Sequence, residues 1–246
     1  VALYETESGV MLTKPAIEGY LQEAFKYDVT AKFNSPVTKI NVVNRKAVVT
    51  ISSGEQFEAD NCIVTVGAWA KTVLEQTGVS IPVQATRKTF AWFDAPEELY
   101  GEALYPGFTF QFGKESYYGF PSIHGAGVKV GRHDQGVAVN PSEVKAPFGE
   151  VAGDKEDLQR FLAGYMPRVG ALKQGKTCMY AMTPDEDFII DAHPVHKEII
   201  LAAGFSGHGF KFASAVGEIL SEMAQYKPTT IDLTPFRLNR FEKNKR

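Results

Sequence analysis

A glycine-rich turn, Gly204-Phe-Ser-Gly-His-Gly-Phe-Lys211, is the densest group of residues that could do chemistry. The apolar run 199–203 predicts a buried strand before it, and the pattern of 212–225 predicts a helix after it. Glycines let a backbone approach a ligand closely, and a helix N-terminus carries a positive partial charge. The turn therefore indicates a site for an anion or a polarised carbonyl, or else a strand–helix corner that binds nothing. Its spacing is not GxGxxG, so no dinucleotide fingerprint is predicted.

A single lysine, Lys129, interrupts the small and apolar run Gly127-Val-Lys-Val-Gly131. Because side chains alternate along a strand, the two valines share one face and Lys129 lies on the other. It is either a cation directed into a site or a solvated strand lysine, and the residues alone favour the solvated lysine. His124 and His133 flank the segment, where a histidine is more often structural than catalytic.

The remaining candidates have ordinary structural interpretations. Cys62 and Cys178 cannot form a CxxC pair or a disulfide framework, and each is expected to be a buried, inert thiol. Their use indicates a reducing compartment, so a cytoplasmic location is expected. The acidic residues between 185 and 191, near His193 and His196, match no metal-ligand spacing. We therefore expect a solvated loop there and no metal site.

Two kinds of element must position these residues. The patterns predict helices at 14–26, 70–77, 154–165 and 212–225. Strands are predicted at 37–42, 47–52, 56–59, 60–69, 85–93, 107–112, 116–121, 127–130, 177–182, 188–191 and 199–203.

The predicted fold class is α/β (α+β). The apolar strands near Ile63 and Ile200 each lead directly into a helix, which is typical of α/β structure with strands buried on both faces. We expect both strands in one domain. Between them, residues 82–131 form strand after strand with one face toward a ligand, and the stretch 82–187 is predicted to be an inserted antiparallel or mixed β-sheet domain.

Composition excludes several classes of protein. The chain has 246 residues, of which 44% are hydrophobic and 22% charged, so it is not a disordered chain. The formal net charge of −3 argues against nucleic-acid binding, and the only basic cluster, 237–246, is expected to be a solvated end. No apolar run approaches the roughly 20 residues that span a membrane, and no signal peptide is visible. The chain does not begin with Met, so a fragment is expected.

Taken together, these residues resemble the flavin amine oxidases of the monomeric sarcosine oxidase and N-methyltryptophan oxidase family. The motifs that carry the resemblance extend over essentially the whole chain. They are Ser8-Gly-Val10, Val66-Gly-Ala-Trp69, Tyr117-Tyr-Gly-Phe-Pro121, Gly127-Val-Lys-Val-Gly131 with His133, Cys178-Met-Tyr180, Thr183-Pro-Asp-Glu-Asp-Phe-Ile-Ile-Asp191 with His193-Pro194, and Ala203-Gly-Phe-Ser-Gly-His-Gly-Phe-Lys-Phe212.

The resemblance implies two domains. Residues 1–78 and 187–246 would be the remainder of an FAD-binding domain, and residues 79–186 would be a substrate domain. The family's GxGxxG segment, which holds the FAD pyrophosphate, has no counterpart here. The chain is therefore expected to be a C-terminal fragment that lacks about the first half of the FAD domain.

The resemblance also assigns roles to particular residues. It implies that Cys178 is joined covalently to the flavin and that Lys129 promotes the reaction with O2. Lys211 and the Gly207-His208 turn would border the flavin and the substrate carboxylate, and Tyr118, His133 and Tyr180 would line the substrate cavity. The full set implied to bind FAD is Cys178, Gly204, Phe205, Gly207, His208, Gly209 and Lys211. Thr109 departs from the larger apolar residue common in sarcosine oxidases, which leaves sarcosine itself open as the substrate.

The implied activity is oxidation of the C–N bond of a secondary amine such as an N-methyl amino acid. The products would be an imine, which hydrolyses, and hydrogen peroxide. Two alternatives stay open: an oxidase of another small amine (glycine, a cyclic imino acid or a glycated amino acid), or a non-catalytic remnant that binds no flavin. A nucleic acid, a membrane or a metal is not expected as a partner, and the oligomeric state is not indicated.

Overall fold

A computed structural model describes residues 1–143 and 145–242. The helices are α1 (Thr13–Phe25), α2 (Ala70–Glu75), α3 (Glu97–Tyr100), α4 (Glu156–Tyr165) and α5 (Ala213–Ala224). The strands are β1 (Val37–Val43), β2 (Lys46–Ile51), β3 (Gln56–Ala59), β4 (Cys62–Val64), β5 (Gln84–Phe93), β6 (Phe108–Phe112), β7 (Glu115–Phe120), β8 (Val128–Arg132), β9 (Val137–Ala138), β10 (Leu172–Met182), β11 (Ile189–Ala192) and β12 (Ile199–Ala203). The mixed α and β content confirms the predicted fold class, while the short elements α3 and β9 were not predicted.

The chain divides into two compact units. The sheet unit consists of Val1–Leu12 and Thr86–Met179, and the α/β unit consists of Thr13–Ala85 and Tyr180–Arg246. The predicted domain limits, after residues 78 and 186, fall seven residues from each of the observed breaks after Ala85 and Met179, and the first twelve residues group with the sheet unit. The assignment of the units to cofactor and substrate stays a prediction.

The α/β unit contains a sheet in which the two predicted apolar strands are neighbours. Its order is β11-β12-β4, and β12 pairs in parallel with β4 so that Ile200 lies opposite Ile63. The expectation that these strands share one domain is therefore confirmed. Every residue of β12 is buried, because Ile200 packs on the side of α5 while Leu201 packs on the side of α2.

Strand β4 departs from its prediction. It is only three residues long, and the side chain of Ile63 is 41% exposed. Val64 faces the core that contains Leu74 of α2, whereas α5 covers the opposite face of β12 without burying Ile63. The prediction that this strand is buried on both faces is therefore wrong for β4 and right for β12.

A three-stranded antiparallel meander, β1-β2-β3, completes the strands of the α/β unit, as predicted. Asn44 and Arg45 join β1 to β2 with φ values of 50° and 61°. Positive φ at both central residues defines the type I′ turn, whose twist matches that of the flanking strands. The connection therefore closes the hairpin in two residues.

Helix α1 forms where it was predicted but buries none of its residues. Its apolar residues Ile17, Tyr20 and Phe25 remain 52%, 51% and 48% exposed. An isolated helix of about 12–15 residues is marginal in water, because most helical stability comes from packing an apolar face. Within the residues that the structure describes, α1 is therefore the helix with the least tertiary support.

The sheet unit contains a sheet with the strand order β10-β5-β8-β7-β6, and β9 also pairs with β5. The pairings β5–β8, β8–β7 and β7–β6 are antiparallel. One face packs against α4, where Phe93, Tyr117 and Val130 share a core with Leu158 and Phe161. By alternation, the opposite face carries the neighbours of these residues, which include Lys129.

A buried ion pair that the sequence did not predict ties a long loop to β5. Arg87 donates from Nη1 to Oδ1 of Asp154 at 2.9 Å and from Nη2 to Oδ2 at 2.7 Å. The two side chains are only 5% and 6% exposed. Arg87 also donates to the carbonyl oxygens of Ala146 and Pro147, each at 3.0 Å. The guanidinium therefore organises the backbone ahead of α4.

The carboxyl group of Asp154 is held in its charged form. Burial alone would raise its pKa, but the hydrogen bonds from Arg87 and from the backbone N–H of Gly149 outweigh burial and lower the pKa below the ordinary value. A group with a depressed pKa in the folded state stabilises that state above its unfolded pKa of about 3.9 and loses this contribution as the pH falls further.

We expect the amide hydrogens of α1 to exchange much faster with solvent than those of β12. The reason is that α1 opens without loss of buried contacts, whereas opening β12 exposes two cores. Hydrogen exchange of this chain, followed by mass spectrometry, measures both segments in one sample. Equal protection of α1 and β12 would contradict the prediction.

We expect Asp154→Asn to destabilise the fold by about 3–5 kcal/mol at neutral pH, since it leaves the buried Arg87 charge unpaired. Urea unfolding at pH 7 measures the loss. Below about pH 4 the gap between the two proteins should narrow, because Asp154 then gains a proton in the unfolded wild-type chain, whereas the folded carboxylate stays charged until a lower pH.

Glu98→Gln is the matched control, because Glu98 pairs with Arg168 on the surface and both side chains are more than half exposed. It should leave the urea midpoint unchanged. Equal effects of the two substitutions would contradict a special role for the buried pair.

Candidate functional site

Lys129 lies in a cage of three aromatic rings on the open face of the sheet unit. Its Nζ lies 4.4 Å from the ring centre of Phe90, 5.2 Å from that of Trp92 and 5.4 Å from that of Phe120. We call these three residues the Lys129 cage. Ammonium groups within about 6 Å of a ring face are attracted by its quadrupole. Lys129 is half-buried, so the interpretation of a solvated strand lysine is wrong.

Strand register builds the cage. Trp92 on β5 and Phe120 on β7 each stand opposite Lys129 in their antiparallel pairings with β8. Phe90 precedes Trp92 by two residues and therefore shares its face. The rings thus come from strands on both sides of the lysine. Alternation along the sequence predicts the face on which Lys129 lies. It does not predict the three rings, because they depend on how the strands pair.

The Lys129 ammonium lies in a mixed electrostatic environment. Burial lowers its pKa below the ordinary lysine value, Cys178 opposes that shift, and the charge of Lys176 adds to it. Lys176 also lies over the cage, with its Nζ 5.4 Å from the ring centre of Trp92. Two cations therefore lie over the ring of Trp92, and Cys178 is close enough to act on the charge of Lys129.

The two cysteines differ in their surroundings, although both are free and partly buried. Burial raises the pKa of each thiol, and for Cys62 burial is the whole cause. For Cys178 the charges of Lys129 and Lys88 act in the opposite direction and favour the thiolate. Nearby cations are what make a cysteine reactive. Burial outweighs the two lysines, so the pKa of Cys178 is still raised and the expectation of an inert thiol there stays a prediction.

Tyr118 lies opposite Gly131, on the same face of the sheet as Lys129. A Cβ atom at Gly131 would come within 2.6 Å of Cζ and of the hydroxyl oxygen of Tyr118, so only glycine leaves room for this ring. The two residues are paired between β7 and β8, and Thr109 on β6 is the partner of Tyr118 on its other side. Thr109 is exposed, so its side chain helps to shape the surface beside Tyr118.

His133 directly follows β8 and contributes backbone groups to the unit. Its N–H donates to the carbonyl oxygen of Ser116 at 2.7 Å, and its carbonyl accepts from Lys88 Nζ at 2.5 Å. Lys88 also donates to the carbonyl of Gln135 and is itself buried. Lys88 was not predicted as a site residue, although its spacing from Phe90 and Trp92 on β5 places it on the same face as these rings.

In the α/β unit, the glycine turn follows β12 as predicted, but its glycines make room for protein side chains. Gly204 and Gly207 have φ values of 65° and 83°. A Cβ atom at Gly207 would lie 2.0 Å from the ring of Tyr180, and one at Gly204 would lie 2.3 Å from the methyl carbon of Thr183. Gly207 thus provides the position of Tyr180, a predicted site residue.

Ser206 is the residue of the turn that sequence analysis missed. It is fully buried with a positive φ of 48°. Its N–H donates to the carbonyl of Ala181 at 2.9 Å, and its hydroxyl lies 3.2 Å from the hydroxyl of Thr183. Thr183 in turn donates to the carbonyl of Asp187 at 2.8 Å. These bonds fix the turn against the segment that follows β10.

The turn contains three more residues that were predicted to bind FAD, namely His208, Phe205 and Gly209. The His208 Nε2 lies 3.2 Å from the carbonyl oxygen of Glu186, and its ring packs 5.0 Å from that of Phe188. Phe205 packs on Phe188 from 4.8 Å, and Gly209 faces the side chain of Phe205.

Lys211 lies in a 3₁₀ turn, Phe210–Phe212, that separates the glycine turn from α5. Its Nζ lies 5.5 Å from the ring centre of Phe212. The helix predicted from residue 212 begins one residue later, at Ala213, and follows this 3₁₀ turn directly.

The acidic residues 185–187 lie in an exposed turn, as predicted, but two carboxylates of the 185–191 segment also form ion pairs with the basic tail. Asp185 pairs with Arg240 at 2.8 Å, and Asp191 pairs with Arg237 at 2.6 Å. No cluster of three metal-ligating residues occurs in residues 1–143 and 145–242. The basic tail is thus partly bound rather than solvated, and its last four residues, 243–246, lie outside the described residues.

His193 is buried and structural. Its Nδ1 accepts hydrogen bonds from the N–H groups of Val195 at 3.1 Å and His196 at 2.9 Å, which leaves the proton on Nε2 to be donated to Thr77. Burial is the main cause that lowers its pKa. The neutral ring therefore closes the connection between β11 and β12.

Comparison with known proteins identifies the chain's relatives. It is 39% identical to N-methyl-L-tryptophan oxidase of Shigella dysenteriae over 243 residues, which are 98% of this chain and 64% of that protein. It is 38% identical to monomeric sarcosine oxidase of Bacillus sp. over 97% of this chain and 62% of that protein. The chain thus spans less than two thirds of the length of these relatives.

Solved structures share the fold. L-proline dehydrogenase from P. horikoshii matches with a TM-score of 0.75 at 21% identity, over 93% of this chain and 59% of that one. NikD, an amino acid oxidase of nikkomycin biosynthesis, matches with a TM-score of 0.74 at 16% identity, over 92% of this chain and 59% of that one.

No helix in the described part of the chain is long and apolar enough to cross a membrane. The family model for DAO, the FAD dependent oxidoreductases, matches residues 1–223, and the chain belongs to this family.

Proposed function

We propose that this chain is the greater part of an FAD-dependent oxidase that oxidises the C–N bond of a secondary amine, such as an N-methyl amino acid, with O2 as acceptor. The observation that carries the proposal is the caged cation of Lys129 beside the thiol of Cys178 on one open, aromatic sheet face. The relatives named above support the amine as substrate class.

The residues of this face fit a flavin. A planar aromatic ring system packs well on the ring of Tyr118, which is only partly buried. Burial raises the pKa of the Cys178 thiol, while Lys129 and Lys88 act in the opposite direction and favour the thiolate, which is the form that makes a covalent bond to carbon. Cys178 is therefore the proposed attachment point.

The glycine turn is the proposed second group of cofactor-binding residues. It comprises Gly204, Phe205, Gly207, His208, Gly209 and Lys211. Ser206 and Thr183 hold the backbone of this turn in one conformation, so its shape is set before a ligand arrives. When bound, FAD takes up the electrons of the amine C–H bond and passes them to O2.

Each remaining residue then has a definite task. Lys129 stabilises the negative charge that develops on oxygen when O2 accepts electrons. Lys211 attracts the substrate carboxylate, while Tyr118, His133 and Tyr180 bind and orient the amine. The imine that leaves takes up water and divides into an aldehyde and an amine, and O2 gains two electrons and two protons to become hydrogen peroxide.

A different small amine is the second candidate, and Thr109 favours the bulkier of these amines, a cyclic imino acid or a glycated amino acid. This residue lies beside Tyr118 and is smaller than the residue common in sarcosine oxidases, so the surface there leaves room for a larger substrate. Substrate profiling with sarcosine, N-methyltryptophan, glycine, proline and a fructosyl amino acid separates the candidates. The two cysteines form no disulfide, which supports a reducing, cytoplasmic setting.

Flavin content is the first test of the proposal. A visible absorbance spectrum of the purified protein shows whether flavin is bound, and acid precipitation shows whether it stays with the protein. Flavin bands together with peroxide formation from an N-methyl amino acid support the oxidase. A protein that stays colourless after incubation with FAD would instead be the non-catalytic remnant.

We expect Cys178→Ser to leave any bound flavin extractable by acid, because the serine hydroxyl is not ionised and forms no such bond. Cys62→Ser is the matched control, since the pKa of the Cys62 thiol is raised by burial with no cation to oppose it. Flavin should stay covalently bound in that variant. Retention in Cys178→Ser, or release in Cys62→Ser, would contradict the assignment.

We expect Lys129→Met to slow the reaction of the reduced protein with O2 on the order of 10²-fold, the size typical of losing one electrostatic stabiliser. Reduction by the amine should change far less, because no negative charge develops near Lys129 in that step. Stopped-flow absorbance follows the two half-reactions separately.

Lys114→Met is the control, since Lys114 is exposed in the turn between β6 and β7. An equal slowing of both half-reactions would make Lys129 a substrate-positioning residue instead.

A further inference from the structure

We propose that Trp92 and Phe120 are positioning residues for Lys129, and that the Lys129 cage holds the ammonium in place without neutralising its charge. The kinetic part of this inference rests on the proposed function, whereas the structural part does not. The three cage residues, Phe90, Trp92 and Phe120, are not among the site residues predicted from the sequence.

Two aromatic pairs make the cage rigid. The rings of Phe90 and Trp92 meet edge to face, with their centres 5.4 Å apart, and those of Tyr118 and Phe120 do the same at 6.3 Å. Edge-to-face contact is a favoured arrangement of aromatic rings. Because each pair fixes its own members, the rings around Lys129 cannot turn away without breaking these contacts.

The type of group that contacts Lys129 determines whether its positive charge can act on a ligand. In the part of the chain that the structure describes, Lys129 forms no ion pair with a carboxylate, whereas Lys173 and Lys46 pair with aspartates. A carboxylate would fix the ammonium but would cancel most of its field at the distance of a ligand. An aromatic quadrupole attracts the cation and adds no net charge, so the positive field persists.

The titratable neighbours of Lys129 lie on β5, which is next to β8, and on β10, which lies beyond β5. Lys176 and Cys178 on β10 act on it with opposite sign, and Lys88 on β5 acts on the same thiol. Burial works against the charged form, while the rings favour it. Replacing one ring by an aliphatic side chain keeps the site dry but removes attraction for the cation, so the pKa of Lys129 should fall further.

The structural part is tested on this chain without cofactor. With ¹³C-labelled lysine, the Cε–H signals of Lys129 should be shifted upfield by the ring currents, and Lys129→Met identifies them by their loss. Trp92→Leu and Phe120→Leu should each move the signals back toward those of exposed lysines. In a pH titration we expect each variant to lower the pKa by roughly half a unit to one unit, the equivalent of a cation–π contact.

Trp92→Phe should restore most of the upfield shift and of the pKa, since it keeps an aromatic face. Trp69→Leu is the control, because Trp69 lies in the α/β unit and outside the cage. Lys129 signals that coincide with those of exposed lysines, or that do not respond to Trp92→Leu, would overturn the proposal.

The kinetic part uses the flavin-loaded protein. Trp92→Leu should slow the oxygen step by roughly two- to thirtyfold and leave reduction by the amine unchanged, as expected for loss of a cation–π contact. Because the ammonium is the active form, the oxygen rate should fall at a lower pH in the variant than in the wild type.

The two parts can fail separately. An unchanged oxygen rate and pH profile in Trp92→Leu, while Lys129→Met slows the step, would overturn the positioning role. If Lys129→Met also leaves the oxygen step unchanged, the proposed function of Lys129 fails, and the NMR result still decides whether the cage exists.

Discussion

Side-chain alternation along β8 is the constraint on which the sheet unit depends. The valines on either side of Lys129 face the core under α4, so the lysine must face away from that core. A one-residue shift of register would bury the ammonium among Leu158 and Phe161 without any partner. The apolar core therefore fixes the position of the cation as firmly as the cation's own contacts do.

The same logic explains why chemically useful groups gather on one face of the sheet unit. Phe90, Trp92, Tyr118 and Lys129 all lie on the face opposite α4, and Gly131 is small because Tyr118 covers it. Cys178 belongs to this set through its electrostatic coupling to Lys129. Lys88 lies on this face as well, where it is buried and donates to the carbonyls of His133 and Gln135.

Much of the fold could be predicted from the sequence, because it depends on local periodicity. The alternation in β5 to β8, the helical pattern of α5 and the apolar run of β12 each identify an element without knowledge of its neighbours. The face on which Lys129 lies follows from the same rule. The resemblance to known oxidases extended these patterns to particular residues.

What the sequence did not reveal depends on contacts between distant residues. Arg87 and Asp154 find one another across 67 positions, and nothing in either segment marks the other as a partner. The cage likewise needs the register of three strands. The glycines of the turn were correctly identified as special, yet the space beside Gly207 is taken by Tyr180, which only tertiary structure can show.

Strand β12 has a consequence for how this protein can change over evolution. Successive residues of β12 enter different cores, since Ile200 lies among α5 side chains such as Ile219, and Leu201 lies with Leu74 of α2. A change of volume at position 200 can be compensated from α5 but not from α2, and the reverse holds at position 201. Adjacent positions in one strand should therefore co-vary with different helices and hardly with each other.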